Sequence, residues 1–248
     1  MSGDSDETVT AGLLVIGDEI LSGRTKDKNI GYVADYLTAL GIDLLEVRIV
    51  PDIEERIIEA LDALRARYTY VFTTGGIGPT HDDITADAVA KAFGVALPID
   101  PRAVALLRER IRPEDLNEAR LRMARIPEGA DLIPNSVSKA PGFRIGNVFV
   151  MAGVPNIMQA MLDAIGPTLK KGAKLESRSI AVPVKEGDIA GPLARIAKAH
   201  PGVMIGSYPH QEGQVFTTTL VLRSRDRAAL DAAEAAVRAM IEDVTARV

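Results

Sequence analysis

The chain has 248 residues, of which 47% are hydrophobic and 25% are charged, and it contains neither cysteine nor tryptophan. This composition is typical of a packed globular protein, and it excludes a disulfide framework, a thiolate nucleophile and a zinc site built on sulfur. The net charge of −5 argues against a nucleic-acid partner, because duplex binding depends on clustered Lys and Arg. The polar N-terminus does not resemble a signal peptide and no apolar stretch is long enough for a membrane span, so we expect a cytoplasmic protein without a membrane partner.

Strands and helices alternate in the first part of the sequence. An apolar run at residues 11–16 predicts a strand buried on both faces, followed by a helix at 29–40 and a strand at 42–50. Asp52 and Glu55 have capping-box spacing before a further helix, and residues 68–73 form the third strand. This order is typical of βαβ units, whose parallel sheets bind ligands at the carboxyl ends of their strands.

The rest of the chain predicts the end of this unit and a second, smaller one. Helices are expected at residues 84–93 and after Asp100, whereas residues 114–138 are irregular and indicate an arm or a lid. A strand at 148–151 and a helix at 156–165 precede a linker rich in Lys and Gly. A βαββα pattern follows, with Asp188 as the cap of its first helix. We therefore predict a three-layer α/β/α domain with a mostly parallel sheet at residues 9–168 and a small α+β domain at 176–246.

The strongest functional pattern is a glycine-rich segment between the third strand and the next helix. Gly75, Gly76 and Gly78 let the backbone turn tightly and bring its N–H groups close to an anion, and a helix N-terminus favours negative charge. The segment lacks the Gly-Lys-[Ser/Thr] of a Walker loop, and His81 stands where the dinucleotide fingerprint has its third glycine. The prediction is a phosphate-binding loop, with an ordinary turn as the alternative.

Carboxylates follow this loop and also the first strand. Asp82 and Asp83 would repel a phosphate unless a hard cation lies between them, and Mg²⁺ is the simplest candidate. The alternative is that Thr80 caps the helix with Asp83 as its partner, while Asp82 complements the helix dipole. Asp18 and Glu19 follow the first strand and reach the same rim.

Four segments, at residues 17–29, 73–85, 138–143 and 152–156, together resemble the molybdopterin-binding (MoaB/Mog-like) domain family. The resemblance covers residues 11 to about 165 and is strongest to the branch of competence/damage-inducible protein A. It implies a three-layer α/β fold, a pterin- or nucleotide-sized ligand and a homo-oligomer, which we expect to be a dimer or trimer built mainly through the first domain. We expect Asp82, Asp83 and Glu19 to be catalytic, with Asp82 and Glu19 as metal ligands. The expected ligand-binding residues are Thr74, Gly75, Gly76, Gly78, Thr80, Asn29, Gly142, Gly153 and Pro155.

The sequence leaves three functions open. The first is a divalent-metal-dependent pyrophosphatase acting on dinucleotides such as ADP-ribose or FAD, and the second is a molybdopterin-binding protein in molybdenum-cofactor biosynthesis. The third is a non-catalytic nucleotide-binding protein. Ala152 and Ile157 stand where the family branch usually has Pro and Glu, and this departure weakens the transfer of catalytic activity. We expect no deamidase activity, which belongs to a further domain of larger relatives.

Overall fold

The structure is a computed structural model that describes residues 8–212 and 215–246. The chain divides into two compact units, with the boundary between Gly172 and Ala173. None of the helices in the described residues is long and apolar enough to cross a membrane.

The first unit is built on a six-stranded sheet. Its strands are β1 (Thr10–Ile16), β2 (Asp43–Val50), β3 (Tyr70–Thr74), β4 (Asp131–Ile133), β5 (Gly142–Ile145) and β6 (Val148–Met151). Their order is β2-β1-β3-β6-β5-β4. The first four strands in that order are parallel, β5 is antiparallel to β6, and β4 is antiparallel to β5. The carboxyl ends of four parallel strands therefore meet at one edge of the sheet.

Helices cover both faces of this sheet. They are α1 (Asp18–Leu21), α2 (Asn29–Ala39), α3 (Glu54–Arg65), α4 (Thr85–Phe93), α5 (Pro101–Arg108), α6 (Glu118–Leu121) and α7 (Pro155–Ile165). Side chains alternate along β1, so that Leu14 packs in a cluster with α3, α4 and α5 while Leu13 packs in a cluster with α2 and α7. The predicted three-layer α/β/α architecture with a mostly parallel sheet is confirmed.

Residues 114–138 do not project as an arm. Ala124, Ile126 and Ala130 are buried in the α3-side cluster, and the segment contains α6 and β4. The arm alternative is wrong, because the apolar residues of this segment pack against the core although they have neither helical nor strand periodicity, and the lid alternative stays a prediction. The segment therefore gives no support to an oligomer formed by an extended arm.

The second unit is an antiparallel sheet with two helices. Its elements are β7 (Glu176–Val182), α8 (Glu186–Ala199), β8 (Met204–Glu212), β9 (Val215–Ser224) and α9 (Arg227–Thr245), and the strand order is β7-β9-β8. Ile189 of α8 and Val237 of α9 are buried in the same cluster as Leu220 of the central strand. The predicted βαββα order is confirmed. Asp188 is not a cap, because α8 begins at Glu186, with Lys185 in the capping position.

Candidate functional site

A cavity of about 630 Å³ lies in the first unit at the carboxyl ends of β1, β3 and β6. Its walls come from the ends of these strands and the residues that follow them, which are 16, 17, 19, 75–79 and 152–155, together with side chains from other parts of the unit. Eight of the predicted site residues line it: Glu19, Gly75, Gly76, Gly78, Asp82, Asp83, Gly153 and Pro155. The cavity has the volume of a typical small-molecule site.

The glycine loop at residues 75–79 has a shape that only glycine permits. Gly75 has a φ of +106°, and a Cβ there would lie 2.1 Å from the carbonyl oxygen of Ile16. Gly76 has a φ of +66°, and its Cβ would lie 2.1 Å from Thr85 Oγ1. The buried Thr85 hydroxyl donates to the Gly75 carbonyl at 3.0 Å, and the Thr85 amide donates to the Gly76 carbonyl at 3.0 Å. The first residue of α4 thus clamps the loop.

A second loop, after β6, lies against the glycine loop. A Cβ on Gly153 would be 3.2 Å from the Cα of Gly75, so the two backbones are in contact. Asn29, the first residue of α2, is 4% exposed and donates from Nδ2 to the Gly153 carbonyl at 2.8 Å. Its Oδ1 is buried without a hydrogen-bond partner. Asn29 therefore supports the cavity wall from behind and does not line it.

Asp82 and Asp83 have different surroundings. Asp83 Oδ2 accepts hydrogen bonds from the Thr80 amide, at 2.8 Å, and from the Thr80 hydroxyl, so this carboxylate holds a turn. The turn is not a helix cap, because α4 begins at Thr85 with Ile84 in the capping position. The Asp82 side chain is 63% exposed, and its Oδ1 lies 3.9 Å from His81 Nδ1. Of the two, Asp82 is the carboxylate more available to a ligand.

Asp52 also lines the cavity, although its spacing to Glu55 predicts a helix cap. It does not cap α3, because the capping residue is Ile53 and no side chain bonds to that helix start. Its Oδ2 instead accepts a hydrogen bond from the Asp18 amide at 2.9 Å. Burial raises the pKa of Asp52, the Asp18 amide opposes this, and the negative charges of Asp18, Glu19 and Asp82 raise the pKa further. Its position directly after β2, at the same edge as the other carboxylates, could have revealed it.

Four predicted residues lie outside the cavity wall. Thr74 is buried at the end of β3, while Thr80 and Asn29 make the contacts described above. Gly142 is inside the sheet on β5, where a Cβ would lie 2.2 Å from the carbonyl oxygen of Val150. Close packing between strands therefore accounts for this glycine. Ser138 and Ala140 of the same segment line the cavity instead.

The charges around the cavity have one sign. The lining side chains include the carboxylates of Glu19, Asp52, Asp82 and Asp83 and no Lys, Arg or His. No group of three or more His, Asp or Glu in the part of the chain that the structure describes is arranged to hold a metal ion by itself. Within the cavity wall, the positive partial charge available to an anion comes from backbone N–H groups of the loops, while Arg122 and Arg125 lie in an adjoining pocket that shares Gly76, Gly78 and Asp83.

Comparison with known proteins gives the family. Residues 12–171 match the model described as "Probable molybdopterin binding domain". The chain belongs to this family. Residues 174–247 match the model described as the middle domain of FAD synthase. The second unit of this molybdopterin-binding-domain protein is therefore similar to a domain of a different protein family.

Relatives of the molybdopterin-binding-domain protein come from archaea and bacteria. A protein of Pyrobaculum calidifontis is 36% identical over 81% of this chain and 80% of its own length. A CinA-like protein of Desulfosudis oleivorans is 34% identical over 79% of this chain and 51% of its own length. The crystal structure of the protein CinA, of unknown function, from Thermoplasma acidophilum has a TM-score of 0.62 and 34% identity, covering 66% of this chain and 99% of that one. The resemblance found in the sequence is confirmed.

Proposed function

We propose that the first unit binds a phosphate-bearing pterin or nucleotide in the cavity, with the phosphate against the backbone amides of residues 76–78. The observation that carries this proposal is the clamped glycine loop beside the acidic rim. Gly75 and Gly76 allow no Cβ, so the loop backbone is held close to neighbouring atoms in a single conformation. Preorganised N–H groups bind anions without a large ordering cost.

The carboxylates suit a divalent cation. A phosphate held by the loop would face several negative side chains and no basic one, and a cation between them reverses the repulsion. In this proposal Asp82 and Glu19 are the cation ligands, because both line the cavity and carboxylate oxygens are donors that Mg²⁺ prefers. Mg²⁺ usually binds one or two carboxylates and completes its shell with water and phosphate oxygens, so it needs no cage of three protein ligands. The cation would supply charge neutralisation and polarise the phosphoryl oxygens.

With a diphosphate ligand such as ADP-ribose or FAD, the same arrangement supports hydrolysis. The loop amides hold the diphosphate and stabilise the negative charge that develops on it. A carboxylate of the rim that does not hold the cation, Asp52, orients a water and accepts its proton. The water oxygen forms the new bond to phosphorus while the bridging P–O bond breaks, and two phosphate monoesters leave.

Ile157 favours a second candidate function, which is binding without hydrolysis. It lines the cavity at the position where the family branch usually has Glu, so the carboxylate that this chain lacks would have been in the site. Binding of molybdopterin in molybdenum-cofactor biosynthesis requires the phosphate loop but no water-activating base. A ligand that binds with high affinity and is recovered intact after incubation with the cation supports this function over hydrolysis.

The test is a calorimetric titration with ADP-ribose, FAD, ATP and a pterin phosphate, with and without Mg²⁺. We expect Asp82→Asn to weaken the Mg²⁺-dependent affinity by about tenfold or more, equivalent to ~1.4 kcal/mol, and to leave the affinity without Mg²⁺ unchanged or higher. The control is Asp35→Asn, which removes an exposed carboxylate from α2 that does not line the cavity. Equal Mg²⁺-dependent affinity in Asp82→Asn, Asp35→Asn and the wild type contradicts the proposed cation site.

A further inference from the structure

Strand β2 forms one edge of the six-stranded sheet, and no strand in the described residues pairs with its outer side. Folded proteins usually protect such an edge by making it short or by placing Pro, Lys or a bulge in it. β2 has eight residues, Asp-Leu-Leu-Glu-Val-Arg-Ile-Val, without Pro or Lys. Ala11 of β1 pairs with Leu44 and Gly12 pairs with Glu46, so β2 has a one-residue bulge at Leu45, and residues 46–50 then pair regularly. From Glu46 to Val50 this edge is open to another strand.

The side chains of β2 divide into two faces. Leu45, Val47 and Ile49 alternate along the strand and are 61%, 38% and 38% exposed, so they form an apolar row on one face. Glu46 and Arg48 lie on the other face and are joined by an ion pair of 2.7 Å between Nε and Oε1. An apolar row on an unpaired strand is a surface that a partner strand can cover.

The backbone of β2 fixes how a partner could pair. The Val50 carbonyl accepts a hydrogen bond from the Gly17 amide, which follows β1, so the groups of Val50 face inward. Because the direction alternates along a strand, Arg48 and Glu46 also face β1, while Val47 and Ile49 present their N–H and C=O groups to the outer side. In an antiparallel pair, outward-facing residues must stand opposite one another.

We propose that β2 pairs antiparallel with β2 of a second copy of this chain, about a twofold axis through Val47. This register places Val47 opposite the partner's Val47 and brings the side chain of the bulged Leu45 beside the partner's Ile49, so the apolar rows meet on one face of a joined sheet. It also places Glu46 opposite the partner's Arg48, and the reciprocal pair follows from the symmetry.

Neighbouring registers are worse. An axis between Glu46 and Val47 would place inward-facing groups opposite outward-facing ones, so the ladder could not form. An axis through Glu46 or through Arg48 would place like charges directly opposite each other, which is destabilising. Of the axes through outward-facing residues, the axis through Val47 is the one that pairs Glu46 with the partner's Arg48, and this self-complementarity indicates a second copy as the occupant. The pairing is independent of the ligand proposed for the cavity.

The oligomeric state of the full chain is the first test. Light scattering should give the wild type a mass of twice 26.5 kDa at micromolar concentration. Val47→Lys should give a monomer, because two ammonium groups would face each other across the axis. Ile99→Lys is the control, since Ile99 is 50% exposed elsewhere in the same unit and this variant should remain a dimer. Each variant is compared with the wild type for its melting temperature, so that unfolding is not mistaken for dissociation. A monomeric wild type, or a folded Val47→Lys that stays dimeric, overturns the proposal.

Crosslinking tests the register. The chain has no cysteine, so Val47→Cys introduces a single thiol. In the proposed dimer the Cα atoms of the two Cys residues would be about 5.5 Å apart. A short bismaleimide should link this variant into dimers much faster than Leu45→Cys, whose identical positions are about 14 Å apart along the strands. An equimolar mixture of Leu45→Cys and Ile49→Cys should crosslink to about half the yield of Val47→Cys alone, because about half of the dimers then carry one thiol of each kind. Equal rates for Val47→Cys and Leu45→Cys, or no link above the background of Ile99→Cys, contradict an axis through Val47.

Discussion

Replacing Thr85 with Val should loosen the glycine loop without changing the size of the side chain much. Thr85 is fully buried, and its hydroxyl donates to the Gly75 carbonyl at 3.0 Å. Valine keeps the branched shape but leaves this buried carbonyl without its donor, which costs ~1–3 kcal/mol. For a domain of this size each kcal/mol lowers the melting temperature by about 2–4 °C, so we expect a decrease of about 2–12 °C. The affinity for the phosphate ligand should also fall, because the loop that binds it is less ordered.

The assay is thermal unfolding followed by circular dichroism, with ligand affinity measured on the same samples. Thr85→Ser is the matched control: it keeps the hydroxyl and removes one methyl group, which costs about 0.8 kcal/mol. Serine should therefore retain more stability than valine, although valine is the more hydrophobic residue. If Thr85→Val melts at or above the temperature of Thr85→Ser, the hydroxyl does not clamp the loop and the reasoning is refuted.

Two further substitutions test the supports of the site and of its domain. Asn29→Ala removes the donor to the Gly153 carbonyl, so we expect a stability loss of ~0.5–1.5 kcal/mol in chemical denaturation. Ligand affinity should also fall clearly. Unchanged affinity would contradict a supporting role of Asn29 in the cavity wall. Asp100 caps α5, and hydrogen bonding from the Arg102 side chain lowers its pKa. A lowered pKa stabilises the fold above the unfolded-state pKa of ~3.9, and this stability is lost as the pH falls through the folded-state pKa. The wild type should therefore be more stable than Asp100→Asn at pH 7. The difference in stability between the two should shrink below pH 4. A difference that does not depend on pH would assign the effect to the cap geometry alone.

The sequence predicts the parts of the site that depend on local pattern. Buried strands, the glycine loop and the carboxylates of Glu19 and Asp82 all follow from residue order, because parallel strands bring their carboxyl ends to one edge. Asp52 was misassigned because its spacing to Glu55 fits a cap, whereas its actual partner is the Asp18 amide, 34 residues away. Such a contact depends on the packing of β1 beside β2 and leaves no local pattern.

The glycines show the same limit of prediction from the sequence. The segment containing Gly142 resembles a ligand loop, but the residue is glycine because the neighbouring strand leaves no room for a Cβ. At Gly75 the same kind of close approach occurs in the wall of the cavity. A glycine in the sequence indicates a crowded or left-handed backbone, and only the fold distinguishes a crowded sheet from a crowded binding loop.

The two edge strands of the large sheet differ in length, and this difference limits how many copies of the chain can join through the sheet. β2 has eight residues, whereas β4 at the opposite edge has three. A molecule with two long open edges could add copies at both and polymerise into a fibre. Here, pairing through β2 would consume the long edge and leave a three-residue strand at each end, which offers too few backbone groups to template another copy. Assembly through the sheet would therefore stop at two chains.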